Sequence, residues 1–129
     1  MTKYVIDAYA WVEYFEGSKI GEKVKEIIED SRNSIFTNAI TVAELSSHFN
    51  RKNLNFTEAK KILFSLSSII EVSSDLAEEV GKVHAELKKS RKHIGLADIF
   101  VLVSARRLNA KVVTGDEDFR GLKEAFMVK

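Results

Sequence analysis

Short apolar runs alternate with stretches of helical periodicity from one end of this chain to the other, and no other feature limits its possible folds so much. "YVID" at Tyr4–Asp7 reads as a strand, and Ala8–Phe15 as a helix that Gly17 interrupts. An amphipathic helix over Ile20–Asp30 follows, with Val24, Ile27 and Ile28 on one side. Ser34–Thr37 reads as a second strand, and Asn38 is suited to cap a helix running through Phe49. Thr57 is expected to cap another helix, to Ser67, ahead of a third strand over Ile69–Val72. Asp75 and Glu78 have capping-box spacing for a helix running to Lys89. A helix over Ile94–Leu108, a strand over Val112–Thr114, a short helical turn and a terminal "AFMVK" suited to a sheet edge complete the chain. Strands that alternate with helices pair in parallel through right-handed crossovers, with helices over both faces. The expected fold is therefore α/β, a three-layer α/β/α sandwich with a small parallel sheet.

A chain of 129 residues can bury a core of its own, and no linker, repeat or low-complexity tract divides it, so 1–129 reads as a single domain. Charged residues make up 30% and hydrophobic residues 45%, and the longest unbroken apolar run, Ile99–Val103, is far too short to span a bilayer. The chain enters a strand-like stretch at once, without a signal-peptide pattern, and a cytoplasmic location is expected. The absence of cysteine excludes disulfides and thiolate metal sites. A net charge of +1 excludes a global basic field, so attraction for phosphate must come from local clusters.

Open parallel sheets gather ligands beyond the carboxyl ends of their strands, and the acids fall there. Asp7 ends the first strand, and Asp116 lies just beyond the strand Val112–Thr114 within "VVTGDEDF". Glu44 sits in the first turns of the helix after the second strand, within "ITVAELSSHF". Asp98 is the only charged residue from Ile94 to Val103, and a buried carboxylate there needs water, a partner or a metal. Each acid has a plainer role: Asp7 as a helix cap, Glu44 as a solvated helix former, Asp98 as a solvent-facing residue, Asp116 as a turn residue. Together they can reach one edge of the domain, where two charges about 4 Å apart repel by about 4 kcal/mol at an effective dielectric of about 20. Protons or a divalent cation must relieve that repulsion. All-oxygen ligands, without Cys and with His48, His84 and His93 lacking ligand spacing, favour Mg2+ or Mn2+ over zinc and suit phosphate chemistry.

"YVIDAYAW", "TVAEL", "GLADIFVLVSA" and "VVTGDEDF", in this order and over essentially the whole chain, resemble the PIN-domain ribonucleases, and within them the small VapC toxins of prokaryotic toxin–antitoxin pairs. The resemblance implies a parallel sheet of four or five strands and Mg2+- or Mn2+-dependent endoribonuclease activity. It implies Asp7, Glu44, Asp98 and Asp116 as the catalytic, metal-holding acids, with Asp118 behind them as a cap or as a partner of a metal-facing carboxylate, direct contact with the metal being the less favoured alternative. Thr114 reads as orienting a water or hydrogen-bonding a carboxylate, or equally as a plain β-branched strand residue. The family commonly has Ser or Asn two residues after the first Asp, where this chain has Tyr9, so the support of the metal site differs. A homodimer and a small antitoxin that covers the active site are further implications.

"KKSRKH" at Lys88–His93 is the densest basic segment, and Lys88, Lys89, Arg91 and Lys92 are expected to contact the RNA backbone or simply to decorate a solvated helix end. Trp11, Tyr14 and Phe15 share a helical face, which reads as core or as a surface for dimerisation or antitoxin docking. Two other functions share this architecture. One is a PIN-fold RNA-binding domain without catalysis. The other is a receiver-type phosphoacceptor module, which wants adjacent acids after the first strand where this chain has Asp7 alone.

Overall fold

The computed structural model describes residues 1–129. In chain order its elements are β1 (Thr2–Ile6), α1 (Ala8–Glu16), α2 (Lys19–Ile28), β2 (Asn33–Asn38), α3 (Ala39–Arg51), α4 (Phe56–Leu66), β3 (Ser68–Ile70), α5 (Ser74–Leu87), α6 (Leu96–Leu108), β4 (Lys111–Thr114) and β5 (Ala125–Met127). The strands form one sheet in the order β3-β2-β1-β4-β5, and every neighbouring pair is parallel.

The three layers follow from the two-residue period of the strands. Val5 and Val112 point to one face, where they pack with Leu76, Val80, Ile99 and Leu102 of α5 and α6. Their neighbours Ile6 and Val113 point to the other, into a core with Trp11, Val24, Leu45 and Leu63 of α1 to α4. The expected α/β/α sandwich is the one observed, with β5 at one edge as the sequence suggested.

Trp11 is fully buried, which settles its place in the core. Its Nε1 donates to Thr37 Oγ1 at 3.0 Å, Thr37 Oγ1 donates to Ser67 Oγ at 2.9 Å, and Ser67 Oγ donates to the Leu63 carbonyl at 2.8 Å. This chain of bonds satisfies each of these buried polar groups between α1, β2 and α4. Phe15 stacks on Trp11 and meets Phe49 edge-on, so the aromatic face turns inward toward α3.

Several element ends depart from expectation, the helix starts for local reasons. The cap of α4 is Asn55, whose Oδ1 accepts from Thr57 N at 2.8 Å, so the expected capping residue is the one capped. Ser73 caps α5 through Leu76 N, and Asp75 instead lies in the first turn, paired with Arg107. The sixth helix starts at Leu96, not Ile94, because the Asp98 carboxylate accepts from Gly95 N at 3.0 Å and fixes the N-terminus there. β3 is Ser68–Ile70, ending before Glu71 and Val72.

From β3 at one edge the chain returns through α5 and α6 to β4, on the far side of β1. The direction of strand progression therefore reverses between β1 and β4, and a crevice opens beyond their carboxyl ends. No helix is long and apolar enough to cross a membrane.

Candidate metal centre

Asp7 stands at the crevice because it serves two elements. Its amide continues the sheet ladder to the Val113 carbonyl at 3.2 Å, and its Oδ1 accepts from Ala10 N at 2.9 Å as the cap of α1. The Thr114 hydroxyl accepts from Asp116 N at 3.0 Å and lies near enough to the Asp7 carboxylate to favour its ionised form, so one side chain faces the ends of both β1 and β4. Asp116 Oδ1 accepts from Asp118 N at 2.9 Å and thereby caps a single 3-10 turn over Glu117–Phe119. Phe119, fully buried, anchors that turn in the core. Asp98 is carried in by the first turn of α6.

These devices bring one carboxylate oxygen from each of Asp98, Asp116 and Asp118 within 4.8 Å of one another, and all three residues are partly exposed. Two oxygens across an octahedral Mg2+ lie about 4.2 Å apart, so small rotamer adjustments would seat an ion. The all-carboxylate donor set fits a hard divalent cation. Asp118 thus stands in the tightest group, the less favoured of the places the sequence left open to it. The Asx turn of Asp116 explains this: with its amide bound by Asp116, Asp118 begins the 3-10 turn beside its neighbour.

Asp7 and Glu44 lie outside that tightest group but share its field. Burial is the main cause that raises the Asp7 carboxyl to about 7; the Thr114 hydroxyl and the bond from Ala10 N oppose the rise, and the charges of Asp116 and Asp98 add to it. Glu44 remains open to solvent along much of its length, yet partial burial of its carboxyl, and then Asp98 and Asp116, raise its pKa. The Asp98 carboxyl is likewise raised, first by burial, with the Gly95 amide opposing and the charges of Asp116 and Asp118 adding. Without a counter-ion, this edge holds protons tightly.

Tyr9 lies directly over the loop that follows β4. A Cβ added to Gly115 would run into Cε1 and Cδ1 of the Tyr9 ring, so only glycine allows the ring and the loop to approach this closely. Gly115→Ala is expected to destabilise the fold by about 1–3 kcal/mol, as overpacking does. In a Tyr9→Ser background most of that penalty should vanish, read from chemical denaturation of wild type, the two single variants and the double variant. Equal penalties in both backgrounds would show that the ring is not the obstacle.

The basic segment divides. Lys88 Nζ donates to the Ile94 carbonyl at 3.3 Å and Lys89 pairs with Glu86 at 3.1 Å, while Lys92 is exposed. Arg91 instead turns toward the acidic loop, where its Nη1 donates to the Asp118 and Arg120 carbonyls. No sequence pattern announces such contacts, since the acceptors are backbone atoms of a distant segment.

A parallel sandwich with carboxylates clustered at its switch point defines an α/β domain whose acidic crevice could hold a cation. Residues 4–125 match the PIN domain, and the chain belongs to that family. This match sets aside the receiver module. No curated protein matches the sequence. In fold the chain is similar to a toxin–antitoxin complex from Klebsiella pneumoniae, 20% identical with a TM-score of 0.76, the match covering 98% of each chain. It is also similar to Mycobacterium tuberculosis VapC20, described as a Sarcin-Ricin loop cleaving toxin, at 15% identity and TM-score 0.75, over 94% of this chain and 95% of that one. DNA-bound VapBC from Salmonella typhimurium matches over 100% of both chains, at 15% identity and TM-score 0.74.

Proposed function

We propose that this chain is a divalent-metal-dependent endoribonuclease that hydrolyses RNA phosphodiester bonds, and that it is the toxin of a toxin–antitoxin pair. The observation that carries the reading is the meeting of Asp98, Asp116 and Asp118, with Asp7 and Glu44 in the same field, at the carboxyl edge of a PIN-domain sheet. Membership of the family and the toxins among the similar folds support it.

Asp98, Asp116 and Asp118 would hold Mg2+ or Mn2+, with Asp7 and Glu44 completing the anionic set once ionised. When bound, such an ion supplies positive charge to the phosphoryl oxygens and activates water for attack. The chain's own residues prepare that setting. Thr114 orients the Asp7 and Asp116 segments, and the Asp116 cap holds Asp118 beside it. Tyr9 walls the loop on one side. Lys92, with Lys88 and Lys89, supplies cations beside the entry to α6 for the RNA backbone, each neutralised phosphate releasing counterions. A small antitoxin covering the acidic crevice, a homodimer and a cytoplasmic setting complete the reading.

The purified protein is expected to cleave RNA with Mg2+ or Mn2+, to stop in excess EDTA and to resume when the ion is restored. Cleavage that persists in EDTA overturns the metal dependence. A folded protein that binds Mn2+ yet cuts no RNA favours the non-catalytic RNA-binding domain.

A further inference from the structure

Asp116 caps a turn of only three 3-10 residues, Glu117–Phe119, whose first two are also acids, a geometry with poor hydrogen bonds of its own. Glu117 pairs with Arg120, whereas Asp116 and Asp118 must stay beside each other and beside Asp98 for the tight group to exist. Phe119 anchors the turn from the core side. The outer side is held by one residue from a different part of the chain.

Arg91 lies beyond the end of α5, 27 residues before Asp118. Its own backbone is fixed at both ends, since Arg91 N donates to the Leu87 carbonyl at 2.8 Å and Ile94 N donates to the Arg91 carbonyl at 3.2 Å. From that fixed point Nη1 reaches the Asp118 carbonyl at 2.8 Å and the Arg120 carbonyl at 2.9 Å. Nη2 passes so close to Gly121 that an added Cβ there would lie 3.3 Å away, at a residue whose φ of +90° already favours glycine. The guanidinium therefore spends two of its donors on the carbonyls of Asp118 and Arg120, in the backbone that follows Asp116, and neither bond goes to a carboxylate.

We infer that Arg91 is a positioning residue for the cation site, clamping the Asp116–Gly121 turn so that the Asp116 and Asp118 carboxylates stay within ligating reach of Asp98. The inference rests on the metal-site reading above and assigns Arg91 a task other than gripping RNA.

Charge and clamp predict opposite signs. As a bare cation near the site, Arg91 repels a divalent ion, and its removal should tighten binding. As a clamp, its removal lets the turn open and weakens binding. Supports of ligating groups commonly matter 10- to 100-fold in metal affinity. Lys cannot reproduce the planar donor fork, although it keeps the charge.

Mn2+ binding to the full chain, measured by calorimetry for wild type, Arg91→Ala, Arg91→Lys and Lys82→Ser, separates these cases. The clamp predicts about tenfold or greater weakening in Arg91→Ala and Arg91→Lys, and none in Lys82→Ser, an exposed cation of α5. It also predicts faster amide exchange at Phe119, Arg120 and Leu122, partial recovery of Arg91→Ala with added ethylguanidinium, and unchanged RNA affinity in EDTA. Mn2+ affinity in Arg91→Ala equal to or above that of wild type overturns the clamp while leaving the cation site standing. A wild type without Mn2+ affinity overturns the metal reading itself, and the inference with it.

Discussion

Asp98→Asn is expected to lower the rate of RNA cleavage by about 1,000-fold in saturating Mg2+ while leaving the protein folded. Asp98 is the acid at which the cluster's couplings converge: it joins Asp116 and Asp118 in the tight group, and its charge reaches Asp7 and Glu44. Asn keeps an oxygen that can accept from Gly95 N, so the start of α6 survives. What it removes is an anionic group of the proposed cation site, and an ion's stabilisation of a transition state is worth several kcal/mol, each 1.36 kcal/mol being about tenfold in rate. Asp116→Asn should behave alike, because its amide oxygen can still cap the 3-10 turn. Glu44→Gln should do less harm, since Glu44 stands outside the tight group. Gel-based single-turnover cleavage measures all three. Full activity in Asp98→Asn, with melting unchanged, would sink the assignment of the cation site.

Much of this was legible in the sequence because it depends on local rules. The strands are short apolar runs, and Val5–Ile6 and Val112–Val113 each send one residue to either core, a period that no helix could satisfy. Asp98 stood out because one charge in an apolar helix needs a reason, and the structure gives it two, a backbone cap and a carboxylate cluster. What was hidden depends on choices between near-equal neighbours. Asn55 and Thr57 both suit a cap, and only the path of the chain selects Asn55. Asp116 and Asp118 both suit a turn, and only the Asx bond between them brings Asp118 forward. Arg91 read as one more cation in a basic run because its partners, two carbonyls, carry no side-chain signature.

Asp7→Asn should stabilise the metal-free protein at pH 8 while removing its activity, so that the same carboxylate is costly to fold and needed for function. Burial lifts the Asp7 carboxyl from its ordinary 3.8 to about 7 in the folded chain. Below about pH 4 both folded and unfolded chains carry the proton, and Asp7 contributes no pH dependence. Between about pH 4 and pH 7 the unfolded chain gives up the proton while the folded chain keeps it, so stability falls as pH rises. Above about pH 7 both are ionised and the loss is complete, on the order of 4 kcal/mol at 1.36 kcal/mol per tenfold in proton affinity. Asn does not titrate, can still accept from Ala10 N as the cap of α1, and can donate to the Thr114 hydroxyl. In EDTA the two proteins should therefore melt together near pH 4 and diverge steadily up to pH 7, with the Asp7→Asn variant the more stable. Mn2+ should narrow the gap at pH 8, because an ion that binds only the folded chain adds about 2.7 kcal/mol at 100 times its dissociation constant, and wild type binds it more tightly. Melting curves that coincide from pH 4 to pH 8 in EDTA would show that the Asp7 carboxyl ionises as freely folded as unfolded, and that the crevice imposes no electrostatic demand for a cation.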